Sequence, residues 1–148
     1  MAYATSEKIK TVTLNYAQLE GLVEMSYHMK QKMKNMSGSQ LSSIANAAGI
    51  GATILGLVFV NTTPIGIASA LVGIFTAVLP DEYSVYKAMV EQGYDQLTDI
   101  MYWYKTNKSK YDQIKIETSI FEFRNEGVAF PTAATLAAVH SNSGWQEA

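Results

Sequence analysis

Residues that could carry chemistry are few in this chain. It has two histidines, His28 and His140, and neither has another metal-ligand residue at a useful spacing. Glu91, Asp95 and Asp99 lie at i, i+4 and i+8, which places three carboxylates on one helical face, either for metal or proton handling or as a solvated face. The cysteine count is zero, which excludes disulfides, thiolate metal sites and cysteine nucleophiles.

The chain has no recognisable sequence motif for catalysis or cofactor binding. The chain has no HExxH pattern, no P-loop and no G-x-S-x-G elbow, and the Gly49-Ile50-Gly51 stretch does not continue into a dinucleotide fingerprint. We therefore predict a protein that is not an enzyme, with no catalytic, metal-binding or cofactor-binding residues and no small-molecule substrate.

The charges are scarce and unevenly placed. Charged residues make up 16% of the chain and the net charge is −2, with no dense basic face, so we predict no nucleic-acid partner. Residues 1–34 hold five lysines and three glutamates, whereas residues 81–148 hold six basic and ten acidic residues. Residues 35–80 contain no Asp, Glu, Lys or Arg. This central region is the most informative part of the sequence.

The central region is predicted to be a helical hairpin. Its first helix runs from about Ser39 to Val60, and its second from Pro64 to about Leu79. Thr63 can cap the second helix, and Pro64 suits the first helical position because its missing N–H has no partner there anyway. Amphipathic helices are predicted on either side, from about Asn15 to Met36 and over 81–107, because apolar residues recur there at three- and four-residue steps.

Each hairpin helix has a stripe of small residues and a stripe of large ones. Small residues at three- and four-residue steps let two helices approach closely. We predict that hairpin packing uses Ala45, Gly49, Ala52 and Gly56 on the first helix and Gly66, Ala70, Gly73 and Ala77 on the second. The lipid- or partner-facing residues are then Ile50, Ile54, Leu57, Ile67, Leu71, Ile74 and Val78.

The last forty residues have strand character. Ile114, Ile116, Thr118 and Ile120 alternate with polar residues, which indicates a strand with one buried face. Phe121 and Phe123 have the opposite parity, which predicts a bulge or a change of face. Pro131 limits the next strand to an edge or ends it. Residues 8–14 give only a weak strand signal.

Together these elements predict a mainly α (α+β) fold, with amphipathic helices flanking an apolar Gly/Ala-rich helical hairpin and a small C-terminal antiparallel β element. We predict a single domain over 1–148, divided into an amphipathic N-terminal region (1–38), the hairpin (39–80), an amphipathic helix (81–108) and the β element (112–148).

Two functions follow from the hairpin. The first is a membrane-active protein, pore-forming or holin-like, whose hairpin inserts into a bilayer and oligomerises. The second is a non-enzymatic structural subunit of a large homo-oligomeric assembly such as a phage virion, with the hairpin buried between subunits. The expected partners are a lipid bilayer or copies of the same chain. No secretory signal is recognisable, so we expect a membrane-associated protein or one released by a non-classical route, or alternatively one held in an assembled particle.

Overall fold

A computed structural model describes residues 3–148, in which five helices follow one strand and precede three others along the chain. The elements in chain order are β1 (Thr5–Leu14), α1 (Tyr16–Lys32), α2 (Gly38–Ala48), α3 (Gly51–Phe59), α4 (Pro64–Ala77), α5 (Pro80–Asn107), β2 (Gln113–Phe123), β3 (Val128–Ser141) and β4 (Gly144–Glu147). The described residues are 54% helical and 27% strand.

The predicted small C-terminal β element is wrong, because the sheet is built from both ends of the chain. Its four antiparallel strands have the order β1-β2-β3-β4. β1 pairs with β2 over its whole length, from Thr5 opposite Phe123 to Leu14 opposite Ile114. This pairing joins segments about a hundred residues apart, so the local pattern of residues 8–14 shows little of it. The buried Val12 and Leu14 then extend the inner face of β2.

The predicted helical hairpin is also wrong as a description of this fold. The first apolar helix stops at Gly49, which has a φ of +66° and donates its N–H to the Ala45 and Asn46 carbonyls. Gly51, with a φ of +79°, begins a new helix. Glycine adopts this left-handed backbone without a steric penalty, so the chain turns there. As a result α2 packs against α1 and α4, whereas α3 lies across β1, β2 and β3.

The pairing of β2 with β3 agrees better with the prediction from the sequence. The register between β2 and β3 shifts between Ser119 and Ile120, where the change of parity predicted a bulge. Pro131 stays within β3, opposite Ile120, and β4 pairs only with the far end of β3, from Ala138 to Ser141. Pro131 therefore does not end β3, and β3 has neighbours on both sides, but at Pro131 itself it pairs only with β2. Helix α5 packs along β3 in this region, and the Gln96 side-chain oxygen accepts the Ala134 N–H at 2.9 Å.

The core lies between the sheet and the helices. The methionine face of α1 belongs to it, since Met25, Met29 and Met33 are at most 2% exposed. An aromatic cluster joins α4 and α5 to the sheet; it contains Phe75, Tyr86, Phe121, Phe123 and Phe130. Burial raises the pKa of Tyr86 above its ordinary value, with Glu82 adding to the effect. The helical layer is thus anchored to the sheet by large apolar groups.

Candidate membrane-active segment

The segment from Ser37 to Val78, which we call the apolar segment, contains α2, α3, α4 and their caps but no charged residue. Within it, the stretch Gly51–Ala77 is long and apolar enough to cross a membrane by length and composition alone. A core helix of a soluble protein can have the same length and composition. The stretch is interrupted between α3 and α4, where Thr63 caps α4 by accepting the Gly66 N–H at 3.1 Å. This cap, with Pro64 in the first turn, confirms the predicted start of the second apolar helix.

The large apolar side chains of this segment face the protein core. Of the residues predicted to meet lipid or a partner, six are at most 8% exposed: Ile50, Ile54, Ile67, Leu71, Ile74 and Val78. Leu57 is the exception, at 38% exposed. The fold itself therefore covers most of the surface that we expected a bilayer or partner to cover. The contact of these residues with lipid or with another copy remains a prediction, and it requires a second state in which they leave the core.

The small residues lie mostly on the opposite, outer side. Of those predicted to pack the two helices, Ala45 is buried, Gly56, Gly66 and Ala70 are half-buried, and Gly49, Ala52, Gly73 and Ala77 are exposed. They share this outer side with exposed Ser43, Thr53, Ser69 and Thr76. The structure thus does not bring the two small-residue stripes together as one buried contact. Their use between helices in a membrane or an assembly stays a prediction.

Two other glycines make the close helix contacts. A Cβ added to Gly21 of α1 would lie 2.5 Å from the Ala48 Cβ, and one added to Gly38 would lie 2.9 Å from the Ile65 Cα. Gly21 connects α1 with the end of α2, and Gly38 connects α2 with α4. Sequence reasoning missed both roles, although an isolated glycine on the apolar face of a predicted helix, such as Gly21, is a known sign of close packing.

Among the described residues, the apolar segment makes hydrogen bonds only within itself. Ser37 accepts the Gln40 N–H, Thr63 accepts the Gly66 N–H, and Val78 donates its N–H to the Ile74 carbonyl. Across residues 3–148, no hydrogen bond or ion pair joins residues 37–78 to the rest of the protein. Apolar packing alone therefore holds the segment in place. Such packing is non-directional, and any other apolar environment can replace it.

The turn between α3 and α4 is strained. Val60 has a φ of +58°, which is unfavourable for a β-branched residue. We expect Val60→Gly to raise the free energy of unfolding by about 1 kcal/mol, because relief of strain exceeds the lost side-chain packing and the added flexibility of the unfolded chain. A shift of the urea midpoint with an unchanged m value measures this change in the free energy of unfolding. Val72→Gly in α4 is the control and should lower stability; a decrease for both variants would contradict strain at Val60.

The residues first considered for chemistry do not converge. Glu91 is half-buried on α5, whereas Asp95 and Asp99 are exposed. His28 Nδ1 is buried, with no hydrogen-bond partner in the described part of the chain. His140 Nδ1 lies 2.6 Å from the Asp112 carboxylate, and this hydrogen bond lowers the pKa of Asp112 below its ordinary value. Sequence reasoning missed this pair, because its members lie 28 positions apart.

Comparisons with known proteins identify no relative: no family model, no curated protein and no solved structure matches this chain.

Proposed function

We propose that this is a membrane-active, non-enzymatic protein whose apolar segment leaves the core, inserts into a bilayer and oligomerises there. The observation that carries the proposal is the closure of hydrogen bonding within residues 37–78. A segment can enter hydrocarbon only if its backbone polar groups are satisfied internally. Ser37 and Thr63 cap α2 and α4 from within the segment, whereas α3 has no side-chain cap, and the departure of the segment breaks no hydrogen bond or ion pair with the described remainder of the protein.

The free energy of moving the apolar segment from the protein core into a bilayer supports the same proposal. Lipid tails are about as apolar as leucine, so the large side chains now buried against the sheet would find a comparable environment in a bilayer. No charged residue has to be carried across. In the inserted state the small-residue stripes would be available for contacts between helices or copies. The sheet and its β2–β3 turn, with exposed charges such as Glu117 and Arg124, would stay in water.

A charge on the water-facing side of α4 tests the proposal. Ser69 is exposed, so Ser69→Asp should change stability in water by no more than about 0.5 kcal/mol. Near the centre of a membrane helix, however, an aspartate costs about 2.5–3.5 kcal/mol. We therefore expect dye release from liposomes to fall roughly a hundredfold, since each 1.4 kcal/mol is a factor of about ten.

The matched control is Ala88→Asp, which places the same charge at an exposed position of α5, outside the apolar segment. It should leave both folding and dye release close to those of the parent protein. A parent that releases no dye at any concentration would overturn the proposal. Equal release by the parent and the Ser69→Asp variant would show that α4 does not enter the bilayer.

A structural subunit of a large homo-oligomeric assembly is the second candidate function. It is favoured by the outer side of α4, where Ile65 in the first turn is 65% exposed, and by Leu79, which is 64% exposed just beyond the end of the helix. Apolar surfaces of this kind mark interaction sites. In an assembly the surface would be buried between copies without any lipid.

Gly73→Leu tests this second function. A Cβ added at Gly73 meets no atom within 4 Å in the single chain and the position is exposed, so the variant should fold at least as stably as the parent. If another copy packs its backbone there, the leucine overpacks the contact by roughly 1–3 kcal/mol, and the assembly should dissociate. Light scattering in detergent-free buffer measures the mass. A monomeric parent, or an assembly that tolerates the leucine, would argue against this function.

A further inference from the structure

One end of the molecule, where α5 ends and β2 begins, collects lysines and aromatic rings. We call it the cation-aromatic surface; it consists of Trp103, Lys108, Lys110, Tyr111, Lys115 and Trp145. Both tryptophans of the chain belong to it, at 37% and 39% exposed. Tyr102, next to Trp103, is 61% exposed. So many exposed large rings in one place are unusual for a surface that meets only water.

The aromatic members of this surface form two groups, each held by direct contacts. Trp103 stacks on Tyr111 with ring centroids 5.9 Å apart, and the Lys115 ammonium lies 4.3 Å from the Trp145 ring centroid. Trp145 in turn contacts His140 at 5.0 Å between ring centroids. A shallow polar cavity joins the two aromatic groups; it is lined by Lys108, Ser109, Lys110, Asp112, Ser141 and Asn142.

The charge of this surface is mainly positive. Lys108, Lys110 and Lys115 contribute three cations, and Lys105 in the last turn of α5 lies next to them in sequence. The carboxylate of Asp112 is engaged by His140 at 2.6 Å. Glu147 of β4 is the other acidic residue on the strands at this end. The surface therefore complements an anionic partner, although the whole protein carries a net charge of −2.

We propose that the cation-aromatic surface docks the protein on the surface of an anionic phospholipid bilayer. Lysines near such a surface are attracted to its negative potential, and tryptophan and tyrosine rings favour the level of the headgroups. Lys108 and Lys110 would meet headgroup phosphates, while Trp103 and Trp145 enter the interface. This inference rests on the proposed function, because it supplies the first contact that precedes insertion.

Docking at this end also orients the apolar segment. Tyr16, whose ring lies 4.7 Å from the Lys108 ammonium, borders the surface, and Gly21 follows about 7.5 Å further along α1. Gly21 is where α1 meets Ala48 and Ile50, at the turn between α2 and α3. The junction of α4 and α5, at Pro80, lies at the other end of a 28-residue helix about 42 Å long. The glycine turn at residues 49–51 would thus be brought toward the bilayer first.

The two tryptophans allow docking to be measured separately from insertion, because the apolar segment contains neither of them. Full-length protein is titrated with vesicles of phosphatidylcholine alone or mixed with phosphatidylserine, and tryptophan emission is recorded. We expect a blue shift with the anionic vesicles only. In the double variant Lys108→Gln/Lys110→Gln, the lipid concentration at half-maximal shift should rise about thirtyfold, because each lysine lost weakens binding about five- to sixfold.

The double variant Lys32→Gln/Lys34→Gln is the matched control. It removes the same charge from two exposed lysines, one of which also lies over a tyrosine ring, with Lys34 4.4 Å from the Tyr83 centroid. It should bind anionic vesicles about as well as the parent. Equal loss in both double variants, or no blue shift in the parent, would overturn the docking inference. Dye release without a blue shift would overturn the docking inference and leave the proposed function intact. A blue shift without dye release would overturn the proposed function and leave the docking on anionic vesicles intact.

Discussion

Replacing Leu71 by aspartate is expected to unfold the protein in water. Leu71 in α4 is completely buried, so the substitution removes a packed side chain and places an unpaired carboxylate in the core. Together these changes should cost more than about 4 kcal/mol, a large part of the total stability of about 5–15 kcal/mol of a domain of this size. Far-UV circular dichroism with urea titration measures the loss.

The exposed Ser69, two positions earlier in the same helix, supplies the control for this experiment. Ser69→Asp carries the same charge and should keep the urea midpoint of the parent. If Leu71→Asp were as stable as Ser69→Asp, the large side chains of α4 would not face the core. The burial of Ile54 and Leu71 also means that charges there cannot test insertion, since they would destroy the soluble form first.

Gly93→Ala is expected to lower the free energy of unfolding by about 3 kcal/mol, at the upper end of the range for overpacked sites. A Cβ on Gly93 would overlap the Pro131 carbonyl oxygen and lie 3.2 Å from the Thr132 Cα. These are backbone atoms and cannot rotate away, so α5 would have to move off β3. The nearby hydrogen bond from the Ala134 N–H to Gln96 would stretch with it.

The same substitution at Gly73 is the matched control, because a Cβ there meets nothing within 4 Å. Gly73→Ala should raise stability by up to about 1 kcal/mol, as alanine is the better helix former. The two variants thus have expected effects of opposite sign in one urea titration. Similar midpoints for both would show that α5 does not approach β3 at Gly93.

Local features of this chain followed from short-range chemistry and could be predicted. Thr63 and Pro64 start α4 as expected, and Asn15 caps α1 through a reciprocal pair of bonds with Gln18. The alternating isoleucines of β2 are buried, and the register changes where the parity of Phe121 predicted it. Caps, periodicity and bulges depend on neighbours a few positions away, which the sequence displays directly.

Only the tertiary structure decided which side of the apolar helices faces inward. In a helix without charges both faces are apolar enough to be buried, so periodicity separates large from small residues but does not say what covers each. Here the core between the sheet and the helices takes up large groups such as Ile67 and Leu71, and most of the small residues lie partly or fully outside it. That core exists only because the chain returns at β2 to pair with β1. This is a contact between distant segments, which no local pattern reveals. The cation-aromatic surface depends on another pairing between separated segments, that of β2 with β3 and β4, which brings His140 and Trp145 to Asp112 directly before β2.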